Sequence, residues 1–199
     1  MVSSEVEVCN QALARLGDER IASLGDDSAA ANFCQALYPQ TRDEVLRSHN
    51  WNFAMKRACL CRLSVNPLFG WRYQYELPAD FLRMDILNGR READGKGLYE
   101  IEGRKLLTNE GCAKIRYVAR VTDCTLYDSL FVEALVAKLA FKLAKPLTDS
   151  EGVASAMLQE YERIDGPLAK RVDANEDRVR VVQPFEESEL VRRRYGGMF

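Results

Sequence analysis

Apolar residues along this chain recur with two different periods, and the change from one to the other divides it. From Ala30 to Trp51 the residues Ala30, Phe33, Cys34, Leu37, Tyr38, Thr41 and Val45 lie three and four apart, which places them along one face of a helix. Pro39 falls inside this stripe and removes a backbone hydrogen bond. The stripe stays in phase on both sides of it, so the spacing predicts one kinked helix rather than two. Asp26, Asp27 and Ser28 are its N-cap candidates. Upstream, Val6, Cys9, Leu13 and Leu16 form a shorter stripe, opened by Ser4 and Glu7 at capping-box spacing and closed by Gly17. Two helices joined by a short connection predict an antiparallel pair.

From Asn52 the period shortens to two. Phe53, Met55, Cys59, Cys61 and Leu63 are expected on one strand face, with Lys56 and Arg62 on the other. Trp71, Tyr73, Tyr75 and Leu77 alternate with Arg72, Gln74 and Glu76, the clearest strand in the chain. Leu82, Met84 and Ile86 alternate after Pro78, and the charged, glycine-rich stretch from Asn88 to Gly97 reads as an exposed loop. Tyr99 and Ile101, a turn at Gly103, Leu106 and Leu107, and a run through Ile115, Tyr117, Ala119 and Val121 complete an antiparallel sheet or small barrel.

Helical spacing returns after Asp123. Asp128 is placed to cap a nearly all-apolar helix from Ser129 to Lys145, which Pro146 is expected to close. Thr148 and Glu151 form a possible capping box for a last stripe, Val153, Met157, Tyr161, Ile164, Leu168 and Val172, with a second kink expected at Gly166 and Pro167 and termination at Asp165 as the alternative. The predicted fold is α+β. A discontinuous helical bundle of two helix pairs, residues 1–51 plus 124–174, holds an inserted antiparallel β unit, residues 52–123, and an extended C-terminal arm covers residues 175–199.

Composition narrows the function classes. The chain has 199 residues, 47% of them hydrophobic, and no apolar run approaches the roughly 20 residues of a membrane-spanning helix. Its start carries no signal-peptide pattern, and a formal net charge of -2 gives no overall attraction to nucleic acid. The six cysteines Cys9, Cys34, Cys59, Cys61, Cys112 and Cys124 are expected as reduced and mostly buried thiols. With His49 as the one histidine, the Cys59 and Cys61 pair does not read as a zinc site.

Candidate chemistry is sparse. His49 stands at a helix end between Ser48 and Asn50, where a cation at the C-terminus or a hydrogen-bonded ring accounts for it. Neighbouring carboxylates occur at Asp43 and Glu44, Glu100 and Glu102, and Glu186 and Glu187, but nothing in the sequence faces two of them across a cleft. No phosphate loop, dinucleotide fingerprint or metalloprotease helix is present, so neither catalytic residues nor a cofactor or metal is expected. Lys138, Lys142 and Lys145 share one narrow strip of an otherwise apolar helix. The arm carries Phe185, Leu190, Arg192, Arg193, Arg194, Tyr195, Met198 and Phe199, large apolar groups and arginines on a polar terminus, which suits a segment that docks on a partner.

Several segments resemble one family. They are NQALARLG (Asn10 to Gly17), LYPQTRDEVLRSHNWNFA (Leu37 to Ala54), GWRYQYELPADFLR (Gly70 to Arg83), YEIEGRKLLT (Tyr99 to Thr108), YVARVTD (Tyr117 to Asp123) and FVEALVAKLAFKLAKPLT (Phe131 to Thr148). In this order they are similar to the tail tubular protein A family, the head-to-tail adaptors of short-tailed bacteriophages. The resemblance implies a structural virion protein of the tail or neck, assembled in the host cytoplasm. It implies a dodecameric homo-oligomeric ring that joins the portal protein to the tail nozzle or tube and passes double-stranded DNA, with tail fibres as further partners. On that reading the arm docks on the portal and the lysine strip faces the lumen, in transient, non-specific contact with DNA. The family brings no catalytic residues. The Gly166 and Pro167 pair departs from the unbroken helix the family leads one to expect. The rival reading from the paired acids is a tail-associated peptidoglycan hydrolase.

Overall fold

The computed structural model describes residues 4–91 and 97–176. The arm from residue 177 onward, with all eight of its candidate docking residues, lies outside the described residues.

Helix α1 (Glu5–Leu16) starts where Ser4 Oγ accepts the Glu7 amide at 3.2 Å, and it ends at Gly17, whose φ of 73° is the left-handed conformation that a C-cap glycine supplies. Helix α2 (Ala29–Ser48) is capped by Ser28 and runs through Pro39 without a break. Pro39 and its would-be acceptor residue Gln35 are both exposed, so the carbonyl that loses its partner can turn to water. The buried face is Ala31, Cys34, Tyr38, Thr41, Arg42, Val45 and Leu46, rotated slightly from the expected stripe, with Ala30, Phe33 and Leu37 only half buried.

Helix α3 (Ser129–Thr148) begins at Asp128, whose carboxylate accepts the amides of Leu130 and Phe131 at 2.8 and 3.4 Å. Its length corrects an expectation. Pro146 does not close it; the helix continues to Thr148 and stops at Asp149, which has a φ of 49°. A proline in the last exposed turn deprives only one carbonyl, that of Lys142, of its partner. The next cap is Ser150 rather than Thr148, and it opens α4 (Glu151–Glu160). A π turn, Tyr161–Asp165, then leads directly into α5 (Gly166–Glu176). Here the Gly166 amide bonds the Tyr161 carbonyl, five residues back. Widening the helix in this way accommodates Pro167, whose ring would otherwise press on the carbonyl four residues before it.

Between α2 and α3 the chain forms two antiparallel sheets. One has the order β1 (Met55–Cys59), β7 (Lys114–Ala119), β3 (Phe81–Leu87), β4 (Arg90–Arg91). The other has the order β2 (Tyr73–Glu76), β6 (Lys105–Thr108), β5 (Glu100–Glu102). Two readings of this region are corrected. Part of the expected loop at Asn88 is a hairpin: Asn88 and Gly89 have φ of 49° and 83°, the paired positive values of a tight two-residue turn, and the return strand β4 follows at once. Cys59 and Cys61 lie outside the core as exposed residues, and β1 ends between them, so strand alternation does not carry through to Leu63.

Two apolar cores result. One gathers α1, α2 and α3 around Leu13, Tyr38, Trp51, Phe131, Leu135 and Leu139. The other lies within the β unit, around Tyr75, Leu87, Leu106, Ile115 and Tyr117. The four-stranded sheet belongs to both: β7 sends Val118 to the helical core and Ile115, Tyr117 and Ala119 to the other, and β3 divides Leu82 from Met84 and Leu87 in the same way.

Candidate functional site

The polar residues that sequence alone left unexplained collect where the helices meet the four-stranded sheet. Trp51 is fully buried there, and its indole donates to the Val45 carbonyl at 2.9 Å. Its ring lies edge-on to Phe131, 5.2 Å between centroids, and Phe131 in turn contacts Phe53 and Tyr127 at 5.0 and 4.9 Å. Burial pushes the Tyr127 phenol up to about 12. Its hydroxyl donates to the Val121 carbonyl at 2.9 Å, so the group is used as a neutral donor.

His49 sits at the mouth of this cluster, as the last-turn position predicts, but its partner is on a distant element. Its Nε2 is 3.0 Å from Asp173 Oδ2 on α5. The other oxygen of Asp173 accepts the Asn52 amide at 2.9 Å, and the Asp173 carbonyl accepts Asn52 Nδ2 at 3.0 Å. Burial lowers the imidazole below its ordinary value despite the carboxylate, with Lys170 and Arg83 acting in the same direction. A neutral ring donating to Asp173 therefore fits this position.

A second network adjoins it. Asp85 on β3 accepts Asn50 Nδ2 at 2.8 Å and pairs with Arg116 of β7, while Arg83 donates to Asn50 Oδ1 at 2.6 Å. Arg47 donates to the Leu82 carbonyl at 2.6 Å. Arg83 Nε is buried without a partner, and burial lowers the pKa of Arg83 and of Lys170, each further depressed by cations nearby. These bonds join α2, α5 and the sheet.

The lysine strip is engaged within the chain. Lys138 Nζ stands 4.7 Å over the Tyr161 ring, Lys142 pairs with Glu44 at 2.7 Å, and Lys145 with Glu151 at 3.1 Å. Of the carboxylate pairs, Asp43 is held by Arg42 and Arg120 at 2.9 and 2.7 Å, and Glu44 by Lys142. Glu100 accepts the Trp71 indole at 2.9 Å. Glu186 and Glu187 lie outside the described residues.

The chain matches no family model and no curated protein. The thiols divide evenly, Cys9, Cys34 and Cys124 buried and Cys59, Cys61 and Cys112 exposed, so the expectation of mostly buried cysteines is half met. Among the described residues no group of histidine, cysteine and carboxylate side chains is arranged to hold a metal ion.

Sequence reasoning missed two features. Arg42 is only 6% exposed in the middle of α2, held by Asp43 and, at 3.6 Å, by Glu5. The loop before β2 presents Leu68 and Phe69 at 96% and 86% exposure. The signal for that loop was in the sequence, as an apolar pair between Pro67 and Gly70.

Proposed function

We propose that this chain is a structural head-to-tail adaptor of a short-tailed bacteriophage, a subunit of a ring between portal and tail nozzle through which double-stranded DNA passes. The observation that carries this reading is where the family-like segments lie. Leu37 to Ala54 and Phe131 to Thr148 are far apart in sequence, and they pack together through Trp51, Phe53 and Phe131. The most specific part of the resemblance is therefore the joint between the helices and the inserted β unit, the part of the molecule that fixes its shape. A chain whose polar residues hold elements in place suits a building block.

In this reading residues 175–199 dock on the portal, with Arg192, Arg193 and Arg194 meeting carboxylates and Leu190, Tyr195, Met198 and Phe199 filling a groove. The test is to mix purified protein with a cognate portal and image the product. A closed ring seated on the portal is expected, and a protein that stays monomeric and ignores the portal overturns the reading. Deleting everything after Gln183 is expected to abolish attachment while leaving the melting temperature unchanged. Release of soluble fragments from peptidoglycan, abolished by alanine at one carboxylate pair in a folded variant, would instead favour the hydrolase.

A further inference from the structure

The helix-facing side of the four-stranded sheet, toward the Cys59 and Lys114 end where it is exposed, carries a concentration of positive charge. Register places Arg57 opposite Arg116 and Cys59 opposite Lys114, and Ile86 opposite both Arg116 and Arg91, so all of these share one face. Arg83, paired with Val118, is on the same side but at the junction with the helices, where it donates to Asn50. Against the four cations Arg57, Arg91, Lys114 and Arg116 this end holds one carboxylate, Asp85, which Arg116 and, at 3.8 Å, Arg91 already pair. Arg57 and Lys114 are exposed, and no anionic partner is found for either among the described residues. They border a groove of about 470 Å³ that is also lined by Ala58, Ile86 and Ile115.

The chain carries the complementary charge at another place. From Glu5 to Asp27 there are six carboxylates, Glu5, Glu7, Asp18, Glu19, Asp26 and Asp27, against Arg15 and Arg20. This segment is α1 and the loop to α2. The main packing partners of α1 are α3 and α2, while the sheet packs on α2 through β3 and β7, so the two charged surfaces belong to different elements of the chain.

We propose that the basic sheet face of one copy receives the acidic α1–α2 loop end of a second copy. Two different, complementary surfaces on one chain make a heterologous contact, the kind that propagates into a ring rather than stopping at a pair. The apolar lining of the groove favours a protein occupant over duplex DNA, since phosphates gain nothing from Ile86. The negative net charge of the chain also opposes approach of a polyanion. The inference names the subunit contact of the proposed ring, yet it is measured without a portal. Contact without portal capture would leave it standing while the adaptor reading falls, and the reverse holds as well.

The test uses the full chain. Isotopically light and heavy copies are mixed at low salt and treated with a carbodiimide that joins amines to touching carboxylates. Light-to-heavy links from Lys114 to Glu19, Asp27 or a neighbouring carboxylate are expected, and they should vanish in about 1 M salt, where charges are screened beyond about 3 Å. In sedimentation, the variant Arg57→Glu with Lys114→Glu and the variant Glu19→Lys with Asp27→Lys should each self-associate about tenfold more weakly, because two charge reversals turn attraction across the contact into repulsion. Mixing the two variants should restore association, since each surface then meets its opposite. Absence of the cross-links, association indifferent to salt, or a mixture that fails to recover would each overturn the proposal. So would loss of duplex DNA binding in the first variant with self-association intact, which would reassign the face to nucleic acid.

Discussion

His49 and Asp173, 3.0 Å apart, join the end of α2 to α5 across more than half the chain. Asp173 is 7% exposed. The imidazole is held below its ordinary value by burial, with Lys170 and Arg83 opposing its protonation and Asp173 favouring it. The unfolded chain therefore binds a proton more readily than the folded one as pH falls below about 6.5. Stability from this residue is full above that pH and is lost on acidification, with a slope of at most about 1.4 kcal/mol per pH unit. Comparing unfolding free energies across this range for the wild type and His49→Gln checks it. The variant should lose that part of the slope, and an unchanged slope would refute the assignment.

Gly166 has no room for a side chain. A Cβ built there would sit 2.8 Å from the Tyr161 carbonyl oxygen, the acceptor of Gly166's own amide. Gly166→Ala is expected to cost about 1–3 kcal/mol, since backbone must move. Denaturant titration reads this directly, and a midpoint equal to that of the wild type would show that the π turn relaxes at no cost.

Removing the Trp51 side chain should be among the most damaging single changes. Trp51→Ala empties the meeting point of α2, α3 and the β unit, and a loss of about 3–5 kcal/mol is expected. Trp51→Phe keeps most of the volume but leaves the Val45 carbonyl with only the Ser48 hydroxyl as its side-chain donor, so an intermediate loss is expected. Thermal unfolding of both variants checks the order.

Leu68 and Phe69 test the opposite extreme. Side chains this exposed contribute little to the fold, and replacing both by serine should change stability by no more than about 0.5 kcal/mol. A larger loss on unfolding would mean that the loop is a structural support.

The helices were legible because each carries its own punctuation. Ser4, Gly17, Ser28 and Asp128 act as caps where residue type and spacing place them. Errors came where two local rules compete. Pro146 reads as a terminator, but one unsatisfied carbonyl in an exposed last turn is a small loss. The Gly166 and Pro167 pair reads as a distortion within one continuing stripe, and the distortion takes the form of a single widened π turn just before it. Gln74 occupies an outward position by alternation and yet is buried, because the loop before β2 folds back and the Val65 carbonyl accepts its amide at 2.5 Å. The junction networks could not be read at all. Asp173 lies 124 positions from His49, and no periodicity relates residues on separate elements.

The strands shared by the two cores have a mechanical consequence. Neighbouring residues of β7, Tyr117 and Val118, are anchored in opposite cores, and β3 is fastened in the same manner. A load applied to the β unit therefore meets no compliant hinge before it reaches the helices. It is carried along the strands as shear, as in a riveted lap joint, and the two halves should yield together in a single event.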